Sequence, residues 1–257
     1  MGALSKKIAI ITGSTSGIGK ACAESFAKKG CNLILIARRK ERIFIIAKEL
    51  EKKYGIKTRA ILLDVRNYQN VKKAFNSLPE EWKKINYLIN NAGLARGFSK
   101  VYEGEITHWE EMIDTNIKGL LYVTRQILPL MISNGHGHVI NIGSTAGHEV
   151  YPSGNVYCAT KFAVNALTQS IRIDVLDKNI KVSTVDPGMV ETEFSLVRFS
   201  GDNEKAKSIY KGITPLKASD VANAVLFCAT QPAHVNINEI IITPSSQASS
   251  TQIYRKP

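Results

Sequence analysis

The chain has 257 residues, 44% of them hydrophobic, four cysteines and a formal net charge of +12. That length and apolar content suit one domain with a sizeable core, and no run approaches the ~20 apolar residues that a bilayer span needs. The basic excess lies largely in lysine pairs (Lys28-Lys29, Lys52-Lys53, Lys72-Lys73, Lys83-Lys84) without interleaved aromatics, so it reads as a solvated surface and not as a nucleic-acid footprint.

Met1–Lys7 runs into the first strand with no apolar h-region or cleavage site, so no signal peptide is expected. Ile8–Thr12 and Asn32–Ala37 are apolar runs without polar alternation, as in strands covered on both faces. Between them lies a helix over 18–29, with Gly30 where a C-terminal cap belongs. A second helix over 39–54 ends at Gly55, followed by a strand Arg59–Asp64, a helix over 68–77 and a strand Tyr87–Asn91. A long helix over 107–133 follows, with Thr107 and Glu110 spaced as a capping box. Then come a strand His138–Gly143, a helix over 155–178 and a strand Lys181–Val185. The stretch 187–216 breaks the rhythm with weak helical signal, and a loop of that length is usually a lid. A helix over 219–229 capped by Ser219, a strand Glu239–Thr243 and a Ser/Gln-rich tail Pro244–Pro257 complete the chain. Repeated β-α-β units with right-handed crossovers predict an α/β fold: a doubly wound, Rossmann-type sheet of seven parallel strands with helices on both faces, in a single domain over 1–257.

The turn after the first strand reads Thr12-Gly13-Ser14-Thr15-Ser16-Gly17-Ile18-Gly19. Its glycines permit a sharp turn, and the helix that follows offers free N–H groups to a pyrophosphate. The spacing is G-x-x-x-G-x-G, neither G-x-G-x-x-G nor a P-loop, and the competing reading is a tight turn that needs glycine only for geometry. After the second strand, where a carboxylate would hold an NAD ribose, stand Arg38-Arg39. A guanidinium forks onto a 2′-phosphate, so the expected cofactor is NADP, with Ser14 and Thr15 adding hydroxyls and Asp64 meeting the adenine. Tyr157 and Lys161, at i and i+4, share a helix face. The ammonium is expected to pull the tyrosine down from its usual value near ~10, with Ser144 holding a substrate oxygen against it.

Together these residues resemble the short-chain dehydrogenase/reductase family over nearly the whole chain. Its Asp-Val matches Asp64-Val65, its N-N-A-G matches Asn90-Asn91-Ala92-Gly93, and its asparagine in the long helix matches Asn116. Its serine, tyrosine and lysine match Ser144, Tyr157 and Lys161, and its P-G motif matches Pro187-Gly188, with Val190 and Thr192 lining the nicotinamide side. The resemblance implies that Tyr157 exchanges a proton with substrate, Ser144 bonds the substrate oxygen, Lys161 holds the nicotinamide ribose, and Asn116 holds a relay water. It also implies a homotetramer.

Two further stretches, Asn141–Gly147 with Gly154–Tyr157 and Thr192–Phe199 with Gly201-Asp202, are similar to a branch of NADP-dependent 3-hydroxy acid dehydrogenases acting on serine and allo-threonine. A carboxylate substrate wants a cation in the lid, and Arg198 is the candidate. Its competing reading is a surface or subunit-contact arginine. Arg96 and His148 depart from that branch and are expected to shape the substrate pocket. The alternatives are a bulkier substrate such as a steroid, bile acid or acyl thioester, and a non-catalytic NADP-sensing regulator. The latter is opposed by retention of Asn116, Ser144, Tyr157 and Lys161. Scattered cysteines suggest reduced thiols and a cytoplasmic setting. His136 and His138 read as exposed loop residues, His148 forms no ligand spacing, and no metal is expected.

Overall fold

The computed structural model describes residues 2–256; Met1 and Pro257, at the ends of the leader and tail readings, lie outside the described residues. In chain order the elements are β1 (Ile8–Thr12), α1 (Gly17–Lys28), β2 (Asn32–Ala37), α2 (Lys40–Tyr54), β3 (Thr58–Leu62), α3 (Tyr68–Asn76), β4 (Tyr87–Asn90), α4 (Ile106–Ile113), α5 (Leu120–Ser133), β5 (Gly137–Ile142), α6 (Asn155–Asp174), β6 (Ile180–Pro187), β7 (Val190–Glu191), α7 (Glu193–Arg198), α8 (Asn203–Ser208), β8 (Leu216–Lys217), α9 (Ala218–Ala229) and β9 (Glu239–Ile242). Seven strands form one sheet in the order β3-β2-β1-β4-β5-β6-β9, every pairing parallel.

Alternate residues of one strand serve opposite layers. Ala9, Ile11, Leu33 and Leu35 pack on Phe26 of α1, Ile43 and Leu50 of α2 and Val221 of α9. Ile8, Ile10, Ile34 and Ile36 pack with Val71 and Phe75 of α3, Val123 and Ile127 of α5 and Ile171 of α6. Both strand faces are therefore apolar, which is why these strands read as continuous hydrophobic runs. The strand order reverses at β1 and β4, and the crevice beyond their C-terminal ends is where such sheets bind ligands.

Four local expectations are corrected. The expected helix over 107–133 is interrupted: a π-helical stretch, Asp114–Gly119, separates α4 from α5. The extra residue turns Asn116 inward, where its amide bonds both backbone groups of Leu94. Thr107 does not cap α4, which begins after Glu105 without a side-chain cap. Ser219 lies inside α9, whose first turn is instead closed by Asp220 accepting from the Lys217 N–H at 2.8 Å. His138 is not a loop residue but a β5 residue only 1% exposed, its Nε2 2.7 Å from Ser183 Oγ.

The 187–216 segment is not a bare loop. It contains α7, α8 and a small parallel pair, β7 with β8. Thr192 and Asp202 cap its two short helices through their side chains, a local signal that a hydrophobic-periodicity reading passes over. The tail docks on this segment: the Lys256 N–H donates to Gly212 O at 2.8 Å and Met189 N–H to Gln247 Oε1 at 2.9 Å.

Candidate active site

The ends of β1, β4, β5 and β6 open into one cavity of about 430 Å³, roofed by α7. At one end sits the glycine turn. Gly13, with φ +67°, has Asn91 Nδ2 2.8 Å from where a Cβ would be. That amide donates to Thr12 O at 2.8 Å and lies 3.3 Å from Gly13 O, so the Asn91 side chain shapes the turn while Asn91, Ala92 and Gly93 border the cavity. Thr15, Ser16, Gly17 and Ile18 line it. Ser14 and Gly19 do not. Ser14 is fully buried with its hydroxyl 3.3 Å from Ile36 O, and a Cβ on Gly19 would lie 2.4 Å from both Asn91 Nδ2 and Gly13 O. Both serve the packing of the turn instead of a phosphate.

Arg38 and Arg39 both border the cavity, with Asp64 and Val65 opposite. Asp64 is held by Arg66, whose Nη2 stands 2.6 Å from Oδ2, and Arg38 Nη1 lies 3.8 Å from both Asp64 and Glu111. Arg39 is the more engaged: it donates to Thr15 Oγ1 at 3.1 Å, Ser16 Oγ at 2.6 Å and Glu193 Oε2 at 2.6 Å. No side chain caps the first turn of α1, so its N–H groups face the cavity free of a protein partner.

At the other end stand Ser144, Tyr157 and Lys161. Ser144 follows β5; its hydroxyl accepts from Ala146 N–H at 3.1 Å and lies 3.4 Å from Pro187 O. Tyr157 is 8% exposed, among Leu94, Met112 and Ala146, with Phe194 of α7 edge-on at 5.5 Å between ring centres. Lys161 Nζ lies 5.9 Å from the Tyr157 ring centre and donates to Ile142 O at 2.9 Å. The expected lowering of the tyrosine is not what this environment does. Burial pushes the phenol up, helped by Tyr151, and the Ser144 hydroxyl and the Arg198 charge only partly oppose it. Burial also pushes Lys161 down, to about 8, against the nearby Asp186. Pro187, Gly188, Val190 and Thr192 complete the wall.

Asn116 does not border the cavity. Its Oδ1 accepts from Leu94 N–H at 2.9 Å, and its Nδ2 donates to Leu94 O at 2.8 Å and Thr160 Oγ1 at 3.0 Å. The side chain of Asn116 thus fixes the loop after Gly93 and the back of α6. Beneath it, Asn90 Nδ2 joins Thr124 Oγ1 and Asn141 Oδ1, both at 2.9 Å, and Asn141 reaches Thr168 at 2.8 Å. This ladder ties β4, α5, β5 and α6 together under the site.

The three substrate-side expectations separate. Arg198 stands at the rim of the site and does not itself line the cavity: its guanidinium carbon lies 4.7 Å from the Phe98 ring centre, 5.5 Å from that of Tyr151 and 5.7 Å from that of Tyr157, with Nε 3.3 Å from Gly97 O and Nη1 3.0 Å from Tyr151 Oη. Arg96 borders the cavity but is already paired: Nε donates to Glu111 at 2.7 Å and Nη1 to Val197 O at 3.0 Å, so it anchors α7. His148 is outside the cavity, against the expectation. It sits behind β6, with Nε2 2.9 Å from Asp186 Oδ2 and 3.4 Å from Glu239 Oε1. These three residues bring their ligand-type atoms within 4.8 Å of one another, a grouping that the chain order conceals. Asp186 is 1% exposed, and burial pushes it up to about 6 in spite of bonds from Thr184 and His148. Sequence reasoning missed Asp186, Glu193 and Glu111. The only local hint was the acidic residue beside Pro187-Gly188 and Thr192.

A family model described as short chain dehydrogenase matches residues 7–202. Over the whole of this chain and 99% of the relative, the sequence is 43% identical to an NADP-dependent 3-hydroxy acid dehydrogenase of Schizosaccharomyces pombe. It is also 43% identical to sulfoacetaldehyde reductase 2 of Chromohalobacter salexigens, over 95% of this chain and 96% of the relative. A closed form of serine dehydrogenase complexed with NADP+ superposes with TM-score 0.90 at 41% identity, covering 97% of this chain and 100% of that one.

Proposed function

The chain belongs to the short-chain dehydrogenase family, and from that premise we propose that it is an NADP-dependent oxidoreductase interconverting the alcohol and carbonyl forms of a short 3-hydroxy acid such as serine or allo-threonine. The observation that carries the substrate class is Arg198, a lid cation over the Tyr157 ring. A short acid anchored there by its carboxylate would present its hydroxyl to Ser144 and Tyr157. A bulky apolar substrate would have to bury against that guanidinium, which disfavours the steroid-like alternative.

The donor set fits NADP. Arg38 and Arg39 supply guanidinium groups for a 2′-phosphate, the uncapped start of α1 suits a pyrophosphate, and Lys161, on the cavity wall, would hold a ribose hydroxyl. When bound, the nicotinamide would supply hydride exchange with the substrate carbon and, in its oxidised form, a positive charge. In the reducing direction Tyr157, kept protonated by its burial, donates its proton to the carbonyl oxygen. In the oxidising direction the same oxygen takes the hydroxyl proton, for which the Lys161 ammonium lowers the cost. Ser144 holds the substrate oxygen in either direction, and Asn116 positions the backbone of Leu94.

The reading extends to assembly and setting. The domain is single, with residues 187–216 as its lid, because α7 roofs the cavity. A cytoplasmic homotetramer is supported by four buried, unpaired cysteines and by apolar residues left exposed on the helices beside the site, including Phe162 at 42% and Ile173 at 74%. Among the described residues no helix is long and apolar enough to cross a membrane.

The test is NADPH formation from L-serine, L-allo-threonine and 3-hydroxypropionate, followed by absorbance, with NAD and Tyr157→Phe as controls. Sulfoacetaldehyde with NADPH is a further arm, since a guanidinium pairs a sulfonate as it pairs a carboxylate. Turnover of an acid with NADP, lost in the variant, is the expected result. NADP binding without turnover of any acid would refute the substrate class and leave the cofactor reading standing.

A further inference from the structure

Glu193, the first residue of α7, meets two arginines. Its Oε2 accepts from Arg39 Nη1 at 2.6 Å and its Oε1 from Arg42 Nη1 at 2.8 Å. The same Arg39 guanidinium donates to Thr15 and Ser16 in the glycine turn. One guanidinium thus links the expected cofactor-phosphate end to the lid. The far end of α7, about 7.5 Å away at helical rise, is the substrate end. There Arg198 O accepts from Gly97 N–H at 3.0 Å, Val197 O accepts from Arg96, and the Arg198 side chain lies over Tyr157. Six residues therefore span the two working ends of the cavity, with Phe194 and Val197 packed in the Tyr157 cluster between them.

We propose that Glu193 is a positioning residue that competes with the cofactor's 2′-phosphate for Arg39, so that occupancy of the phosphate end sets how firmly α7 holds Arg198 over the substrate. The inference rests on the NADP-dependent reading above.

The chemistry of the clasp favours exchange. Both partners of each pair are about half exposed, Arg39 at 43%, Arg42 at 52% and Glu193 at 41%. Exposed pairs of this kind hold weakly, so the clasp is easily opened and contributes little to folding. A 2′-phosphate brings a larger charge and three acceptor oxygens to the same guanidinium, and forks onto it as the carboxylate does. It cannot share Arg39 with Glu193 at hydrogen-bond distance without placing two anions side by side. Once Arg39 turns to the phosphate, Arg42 alone retains Glu193. A cofactor without that phosphate leaves the clasp intact.

The experiment needs neither turnover nor a known substrate. Adenosine 2′,5′-bisphosphate and adenosine 5′-monophosphate are titrated calorimetrically into the wild-type protein and into Glu193→Gln, which preserves shape and removes the charge. The expected result is severalfold tighter binding of the bisphosphate to the variant, with the monophosphate unchanged. The second readout is acrylamide quenching of Trp109, which packs on the cluster containing Phe194 and Val197, in a Trp82→Phe background. Quenching should rise on adding the bisphosphate to otherwise wild-type protein, should not rise with the monophosphate, and should already be raised in unliganded Glu193→Gln. With a hydroxy-acid substrate, the variant should raise KM by a larger factor than it changes kcat. Bisphosphate binding that is equal or weaker in the variant overturns the proposal and leaves the NADP reading intact. Bisphosphate binding no tighter than the monophosphate in wild type overturns both.

Discussion

Replacing Gly143 by alanine tests how the site is backed. Gly143 follows β5 immediately before Ser144, and a Cβ there would fall 1.7 Å from Asp186 Oδ1 and 2.9 Å from Thr184 Oγ1. A flexible surface carboxylate would swing away at little cost, but Asp186 is pinned. It is 1% exposed, it accepts from Thr184 Oγ1 at 2.6 Å, and its other oxygen lies 2.9 Å from His148 Nε2. Displacing it loses hydrogen bonds to a charged group, ~1.5–3 kcal/mol, and overpacks the sheet end, ~1–3 kcal/mol, together about 3–5 kcal/mol. Against a domain stability of ~5–15 kcal/mol the loss is large, and it should lower the urea midpoint by about 1 M or more. Asp186→Ala in the same chain makes room for the methyl group. The double variant should therefore lose less than the two single losses summed, by at least ~1 kcal/mol. A cost for Gly143→Ala below ~0.5 kcal/mol, or strict additivity with Asp186→Ala, would refute the reasoning.

Tyr157→Phe should lower turnover by ~10²–10⁴-fold while NADPH titration by fluorescence shows near-normal affinity, because the lost group serves proton transfer; retained turnover would assign the proton to another group. Asn116→Leu leaves the buried Leu94 N–H and C=O without partners and should cost ~2–4 kcal/mol in a denaturant melt, and an unchanged midpoint would show that water replaces the amide. His138, pushed down to about 3 by burial, stays neutral in the folded protein while the unfolded chain takes up a proton near its ordinary 6.5. Stability should therefore fall as pH drops from 6.5 toward 3, by at most ~1.4 kcal/mol per pH unit from this group, and His138→Gln should remove that part of the slope in urea melts at stepped pH.

The strand order along the chain, the two-sided burial of β1 and β2, the glycine turn and the Tyr157–Lys161 face were legible in the sequence. Each is written in a local pattern: a continuous apolar run, a glycine spacing, an i, i+4 pair. Helix ends were read less well, because the capping side chain is chosen by where the helix docks. Thr107 offered a cap that the position of α4 did not use, and the π-helical turn at Asn116 exists because Leu94, twenty-two residues earlier, takes up that amide.

Tertiary structure alone decided the partners. His148 was expected to shape the substrate pocket, yet it faces Asp186 and Glu239 behind β6. Arg96 was expected to shape the substrate pocket, yet Glu111 and the Val197 carbonyl occupy it. Arg39 and Glu193, separated by 154 positions, meet because the crossovers bring α2 and α7 to the same end of the sheet. Periodicity and spacing are set by the backbone within a few residues, so the sequence by itself determines the elements and the chemistry they carry. Which charge neutralises which depends on distances that arise only when β-α-β units stack, and that pairing determined which of the predicted arginines and histidines stand free to act.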